Sequence, residues 1–409
     1  MPSSAPAPAP GPLLRLAIVA GAASATAVVV SAALDLGRAH WGAALVALPF
    51  LAAAAVAARV AYPRLLGPTL AALALMLVAI ATGGGVAWAD EARWAVGLHV
   101  AAAGSSLAAA LVALTVSFRG ETLPLGTGSD YVTLTKPRIM TLLLLTGAAG
   151  MFVGAQGWPN GWDFLAMMIG LALACGGSSA INHVMDADID RLMGERTAAR
   201  PVAAGRVPAP RALEFGLVLM ALSFALLAST VNLFTAMLAL AGGLFYVVVY
   251  TGYLKRSTDQ NIVIGGAAGA VPPLVGFAAA TGNLTLPALW LFLIVFLWTP
   301  PHFWALALMI KEHYRAANVP MLPGTRGVRE TTRQILLYSF VLVAFTVGVG
   351  WWLGPVYTVA AALLGAYFLF LAWQLRRSSS RRNAAVLFHY SLAYLAVLFV
   401  AAAIDPLVA

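Results

Sequence analysis

Charge is what this sequence has least of. Of its 409 residues only 10% are Asp, Glu, Lys or Arg, whereas 61% are hydrophobic; a soluble protein carries roughly 25% charged residues. So few charges cannot cover the surface of a water-soluble fold of this size, and that class is excluded. Cysteine is nearly absent too. The single Cys175 lies in an apolar segment, so no disulfide forms within the chain and cysteine usage does not report the redox compartment. Acids are the scarcer charged residues: 15 Asp and Glu stand against 24 Lys and Arg, a net charge of +9. In a soluble protein that excess would suggest nucleic acid. Here the basic residues fall between hydrophobic runs, where they set topology and meet anionic head groups. The expected partner is the lipid bilayer, with no nucleic acid.

What the chain does have is apolar runs of about 20 residues, enough to cross a bilayer. An Ala/Pro tract, Pro2 to Pro12, precedes the first of them. Ala23-Ser24-Ala25 could mimic a signal-peptidase site, but the apolar continuation to Leu34 favours a retained helix. Four spans are expected near Leu13–Leu34, Trp41–Val60, Leu65–Trp88 and Trp94–Phe118. A polar, Gly-containing stretch, Arg119 to Asp130, reads as an interdomain linker. Nine further spans lie near Ile139–Gly154, Phe164–Ile181, Ala212–Thr230, Leu233–Tyr250, Ile262–Ala280, Leu286–Leu306, Ile335–Leu353, Val356–Leu375 and Ala384–Ala403. The predicted fold class is an all-α polytopic membrane protein, with a four-helix transmembrane domain at 1–120 and a second domain at 121–409.

Loops between successive spans should alternate in Lys/Arg content. In the second part they do. Lys136 and Arg138 precede its first span, Arg191, Arg196, Arg200 and Arg206 follow the second, Lys255 and Arg256 the fourth, Lys311 to Arg333 the sixth, and Arg376 to Arg382 the eighth. The intervening loops have no Lys or Arg. The basic loops are therefore expected in the cytoplasm, the C-terminus outside, and the protein in the cell (inner or plasma) membrane.

Two of the basic loops are richer than topology requires. In the first, Asn182, Asp186 and Asp190 are spaced i, i+4, i+8, which puts them on one helix face at the end of a span. Carboxylates at a helix C-terminus are unfavourable, because that end already carries partial negative charge. A cation offsets this. Magnesium typically takes one or two carboxylates plus phosphate oxygens and waters, which suits Asp186 and Asp190, with Asn182 as neutral ligand or orienter. Arg196, Arg200, Lys255 and Arg256 are candidates to bind the remaining charge of a diphosphate. The bland alternative is a solvated loop of mixed charge. In the second loop, Pro300–Pro301 inside an apolar span is expected to break the helix ladder. Tyr246, Tyr250, Phe303 and Trp304 could wall an apolar cavity and stabilise a carbocation, or simply form an aromatic belt.

Four stretches carry a resemblance: Lys136-Pro137-Arg138; NHVMDADID with RTAARP; the block from Tyr250 to Gly276; and WTPPHFWALAL with YRAANVPMLP. They resemble the heme O synthase branch (protoheme IX farnesyltransferases) of the UbiA-type intramembrane prenyltransferases, over residues 130 to 405. The last two stretches are those of the heme branch. The resemblance implies a nine-helix bundle around a central cavity, with farnesyl diphosphate bound through Mg2+ and heme b as acceptor and substrate. An allylic cation alkylates a heme vinyl group, and water completes a hydroxyethylfarnesyl substituent. Asn182, Asp186 and Asp190 fall on the family's first motif, as metal-binding and catalytic residues, and Arg196, Arg200, Lys255 and Arg256 fall on its basic partners. Lys136, Tyr250, His302, Glu312, His313 and Tyr314 are assigned to substrate binding. There are departures. One extra residue between Met193 and Arg196 shifts the placement of Arg196, and the acid usual before Tyr314 is His313, with Glu312 adjacent. Either Glu312 takes the metal role or the second site is weaker. His302 could approach heme iron or propionates, or be a helix-end hydrogen-bonder; His183 and His389 have no better claim.

Residues 1–120 look like one half of a heme A synthase, a four-helix unit that can clamp heme between two histidines. His40 and His99 are the candidate ligands, since both fall near the same outer face; two unrelated interfacial histidines are the alternative. Heme A synthase consumes heme O, so it is a candidate partner. Two other functions remain open on the residues: a UbiA-type enzyme with an aromatic acceptor, and a non-enzymatic heme-handling membrane protein.

Overall fold

The computed structural model describes residues 10–33, 38–88, 93–118 and 123–408, and the side chain of His40 lies outside the described residues. No strand occurs among the described residues, and thirteen helices are long and apolar enough to cross a membrane. Four precede the polar stretch: α1 (Pro12–Ala33), α2 (Arg38–Ala61), α3 (Pro63–Trp88) and α4 (Arg93–Ser117). After it come α5 (Pro137–Ala155), α6 (Gly161–Met185), α7 (Ala209–Thr230), α8 (Leu233–Leu244), α9 (Asn261–Thr281), α10 (Leu286–Met309), α11 (Gly327–Gly348), α12 (Pro355–Arg377) and α13 (Arg381–Val408). α8 runs on without a break as a π-helix, Phe245–Leu254.

The helix ends are written in the sequence. Pro137 and Pro355 open α5 and α12, where a missing N–H costs nothing. Asn160 caps α6 by accepting from the N–H groups of Trp162 and Asp163, and Asn232 caps α8 by accepting from that of Thr235. α12 has a cap from elsewhere in the fold. The buried Asp405 carboxylate, on α13, accepts from the N–H groups of Val356 (3.0 Å) and Tyr357 (2.6 Å). Gly354 turns the chain there at φ +118°, and a Cβ on it would occupy the Asp405 carboxyl.

Small residues set which helices touch. α5 and α9 meet backbone to backbone: a Cβ on Gly150 would fall on the Pro273 carbonyl, and one on Gly276 on that of Gly147. Without a hydrophobic drive between helices in lipid, such close approach is what holds them together. α4 packs along α7 in the same way, with Gly104 directly against Ala225. Leu51, Met76, Val100, Ala103 and Leu107 join Met167, Leu171 and Phe224 in one buried cluster, so the early helices share a core with α6 and α7.

The expected break at Pro300–Pro301 does not occur. α10 is helical throughout Leu286–Met309, with both proline rings buried. The Thr299 hydroxyl bonds the Val295 carbonyl, and packing against α9, α11 and α13 holds the turn that prolines weaken.

Candidate functional site

Asn182, Asp186 and Asp190 stay in register although the helix does not run straight through them. α6 ends at Met185, Asp186 takes a bridge conformation (φ −94°, ψ 3°), and a short helix, Ala187–Leu192, restarts. The i, i+4 backbone bonds survive, from Asp186 N to Asn182 O (2.9 Å) and Asp190 N to Asp186 O (2.8 Å). All three side chains are buried, at 2%, 1% and 1% exposure.

Three cations close on them. The Lys255 ammonium donates to Asp186 Oδ2 (2.6 Å), the Arg200 guanidinium to Asp190 Oδ1 (2.6 Å), and the Lys136 ammonium to Asn182 Oδ1 (2.6 Å). The Asn182 amide donates to Asp186 Oδ2 (2.8 Å) and to Thr251 Oγ1 (2.9 Å). Two of the cations are delivered by local devices. Lys136 holds a left-handed φ of 51° directly before Pro137, a conformation that costs roughly 1–2 kcal/mol outside glycine. The Ser179 hydroxyl, bonded to the Leu134 carbonyl (2.8 Å), ties that entry segment to α6. Lys255 arrives through the π-helix, whose wider turn lets the Thr251 hydroxyl reach back to Tyr246 O (2.9 Å) and presents Thr251 and Lys255 together to α6. Burial, then the neighbouring Arg200 and Lys255, push the Lys136 ammonium down to about 7; an incoming anion would restore its charge.

The arrangement leaves two acceptors over. Asp186 Oδ1 and Asp190 Oδ2 are buried with no hydrogen-bond partner, a state that costs ~1–3 kcal/mol or more per charged group. A cation is what such atoms fit. Among the described residues no three His, Cys, Asp or Glu side chains gather to chelate a metal on their own, so an ion here must draw further ligands from a bound substrate or water.

Other candidates are placed differently. Arg256 forks onto Asp188 (2.7 and 2.8 Å) and the Met185 carbonyl, and that fork holds the Asp188 carboxyl down at about 2. Arg196 is exposed on the short helix Glu195–Ala198. Glu312 is exposed and engages Lys311 and Arg315, while the His313 ring lies against Gly194 of the first loop. Tyr314 follows, its hydroxyl pushed up to about 12 by burial, in the field of Arg200 and Asp186. Tyr246 and Tyr250 stack at 5.7 Å and also lie within the field of Asp186. His302 faces α13, sandwiched between Trp298 and Phe388 (4.2 and 4.6 Å), with Nδ1 on Ser391 Oγ. His389 bonds the Ala385 carbonyl of its own helix. His99 is buried, and its Nδ1 bonds Ala79 O (2.6 Å).

The pattern of the UbiA prenyltransferase family matches residues 143–398. The chain belongs to the UbiA prenyltransferase family. A protoheme IX farnesyltransferase of Symbiobacterium thermophilum is 52% identical over 280 residues, 68% of this chain and 93% of that protein. One of Roseiflexus castenholzii is 50% identical over 281 residues, 68% of this chain and 52% of that protein; the chain thus spans about half the length of that curated relative. A solved UbiA homolog from Archaeoglobus fulgidus bound to DMAPP and Mg2+ superposes with a TM-score of 0.54 at 17% identity, over 66% of this chain and 100% of that one. That likeness is one of fold.

Within this UbiA chain, one feature of the cluster had no sequence signal. Thr251 sits in an apolar run, and only the π-helical turn brings it to Asn182. His183 is 2% exposed with neither ring nitrogen partnered, beside the cations Lys136, Arg200 and Lys255.

Proposed function

We propose that this chain transfers the farnesyl group of farnesyl diphosphate to a vinyl group of protoheme IX, making heme O, with Mg2+ at the Asp186/Asp190 oxygens. The observation that carries the reading is the pair of buried, unpartnered carboxylate oxygens inside a ring of three cations. With Lys136 fully protonated, as a bound anion would keep it, three cations against two carboxylates leave a single net positive charge. A divalent ion raises it to match the about three negative charges of a prenyl diphosphate. Relatives about 50% identical that bear the farnesyltransferase name support heme as the acceptor.

Bound Mg2+ supplies Lewis acidity toward the diphosphate oxygens. The rest falls to the chain. Asn182 orients Asp186 and holds Lys136, and Lys136, Lys255 and Arg200 stabilise the diphosphate as it departs with the C–O bonding pair. Tyr246 and Tyr250 present π faces to the allylic cation. The vinyl π electrons form the new C–C bond, water adds to the carbon left cationic beside the ring, and a proton is released. Purified chain supplied with farnesyl diphosphate and Mg2+ should release diphosphate when heme b is added and not when a hydroxylated aromatic acid is. The opposite preference would sink heme as the acceptor.

Residues 1–120, although they share a core with α6 and α7, are proposed as a four-helix unit that binds heme and docks a heme A synthase. The His99–Ala79 bond supports this, because a metal-ligating histidine usually donates its other N–H to a carbonyl. A Soret band in purified protein should weaken in His99→Ala; an unchanged band would remove His99. The alternation of Lys/Arg supports a cytoplasmic active site in the cell membrane with the C-terminus outside, so a C-terminal reporter that works only in the cytoplasm should be silent.

A further inference from the structure

Apart from the acid cluster, a cavity of about 210 Å³ lies between the start of α9, α10, the short helix Leu322–Thr325 and the first turns of α11. Gln260, Trp304, Leu322, Arg326, Gln334 and Tyr338 line it. Trp304 is 2% exposed, and its indole N–H has no partner. An indole can only donate, and a buried donor left unpaired costs ~1–3 kcal/mol. Such a group points to an acceptor that arrives from outside.

The neighbouring acids are not that acceptor. Both Asp259 oxygens are occupied, by Arg326 (2.6 and 3.2 Å), Thr325 (3.2 Å) and Gln260 (3.3 Å). Glu330 is held by Gln334 (2.7 Å) and Arg333 (3.4 Å). With the acids engaged and the Gln260 and Gln334 amides donating to them, the donors left to the cavity wall are the Trp304 indole, the Arg326 guanidinium and the Tyr338 hydroxyl, over the apolar surface of Leu322 and the aromatic rings. Trp304 and Tyr338 hold each other edge to face (5.3 Å, 90°), which fixes both polar tips. Donors above an apolar wall suit a carboxylate carried on an apolar body. Residues of two of the stretches that carry the resemblance meet here: Gln260 belongs to the Tyr250–Gly276 block, Trp304 to WTPPHFWALAL and Leu322 to the segment ending in PMLP that goes with it.

We propose that this cavity anchors a carboxylate of the acceptor, a propionate of the porphyrin, with the Trp304 N–H as its buried donor. The proposal rests on the acceptor being a porphyrin, as inferred above. Anchoring the carboxylate lets binding energy position the vinyl group without touching it.

The test is a fluorescence titration of the full-length chain in zwitterionic lipid with zinc protoporphyrin IX and with its dimethyl ester. Wild type should bind the free acid about tenfold more tightly than the ester. Trp304→Phe, which keeps the ring and removes the N–H, should cut that ratio to about threefold or less by weakening the acid alone. Tyr338→Phe is the second variant, should the first not fold, and should shift the ratio the same way. Equal wild-type affinity for acid and ester, or a ratio untouched by the variant, overturns the proposal. The ratio is read without turnover, so absent diphosphate release would count against the farnesyl-transfer reading and leave this result standing on its own.

Discussion

Asp186→Asn is expected to lower farnesyl transfer at least about a thousandfold while the purified protein stays folded. The asparagine keeps the shape and leaves an oxygen for Lys255, but it removes the negative charge that a cation needs at the unpartnered Oδ1. Asp186→Ala would be the poorer experiment. It strands the Lys255 ammonium, 8% exposed, beside no countercharge, and breaking a buried pair from one side costs about 3–5 kcal/mol. Loss of activity would then mix chemistry with folding. Turnover is measured on monodisperse protein with heme b and farnesyl diphosphate across a magnesium series. Activity within a few-fold of wild type would remove Asp186 from the ion's site.

Gly276→Val is expected to abolish folded protein altogether. The Gly276 Cα faces the Gly147 carbonyl so closely that no Cβ fits, and backbone atoms of α5 and α9 are on both sides of the contact. Neither can yield as a side chain would, so the helices must part. Their separation would carry Lys136, at the head of α5, off Asn182. Gly269→Val, on the same helix but with nothing near its Cβ, is the control and should express normally. Size-exclusion profiles in detergent decide it: a sharp monodisperse peak for Gly276→Val would show that the α5–α9 seam is looser than described.

Much of this was legible in advance, for identifiable reasons. The thirteen spans follow from run length alone, because a bilayer sets a fixed minimum for an apolar helix. The i, i+4 spacing placed Asn182, Asp186 and Asp190 together, and the backbone bonds across Asp186 kept that register even though the helix restarts there. Interactions across the fold were not legible. Nothing in YTGYLK announces a π-helix, yet that wide turn decides that Thr251 and Lys255 reach α6. The prolines of α10 read as a break because sequence shows the missing N–H and not the helices packed around it. Arg256 looked equivalent to Lys255 by adjacency, whereas one residue of helical rotation turns it onto Asp188.

The most direct measurement is the mass of the pigment extracted after purified chain, heme b, farnesyl diphosphate and Mg2+ have been incubated together. The account predicts a heme heavier by one farnesyl group and one hydroxyl group, formed by wild type and not by Asp186→Asn. Unmodified heme b from folded wild-type protein, or a prenylated heme that Asp186→Asn makes equally well, would contradict it.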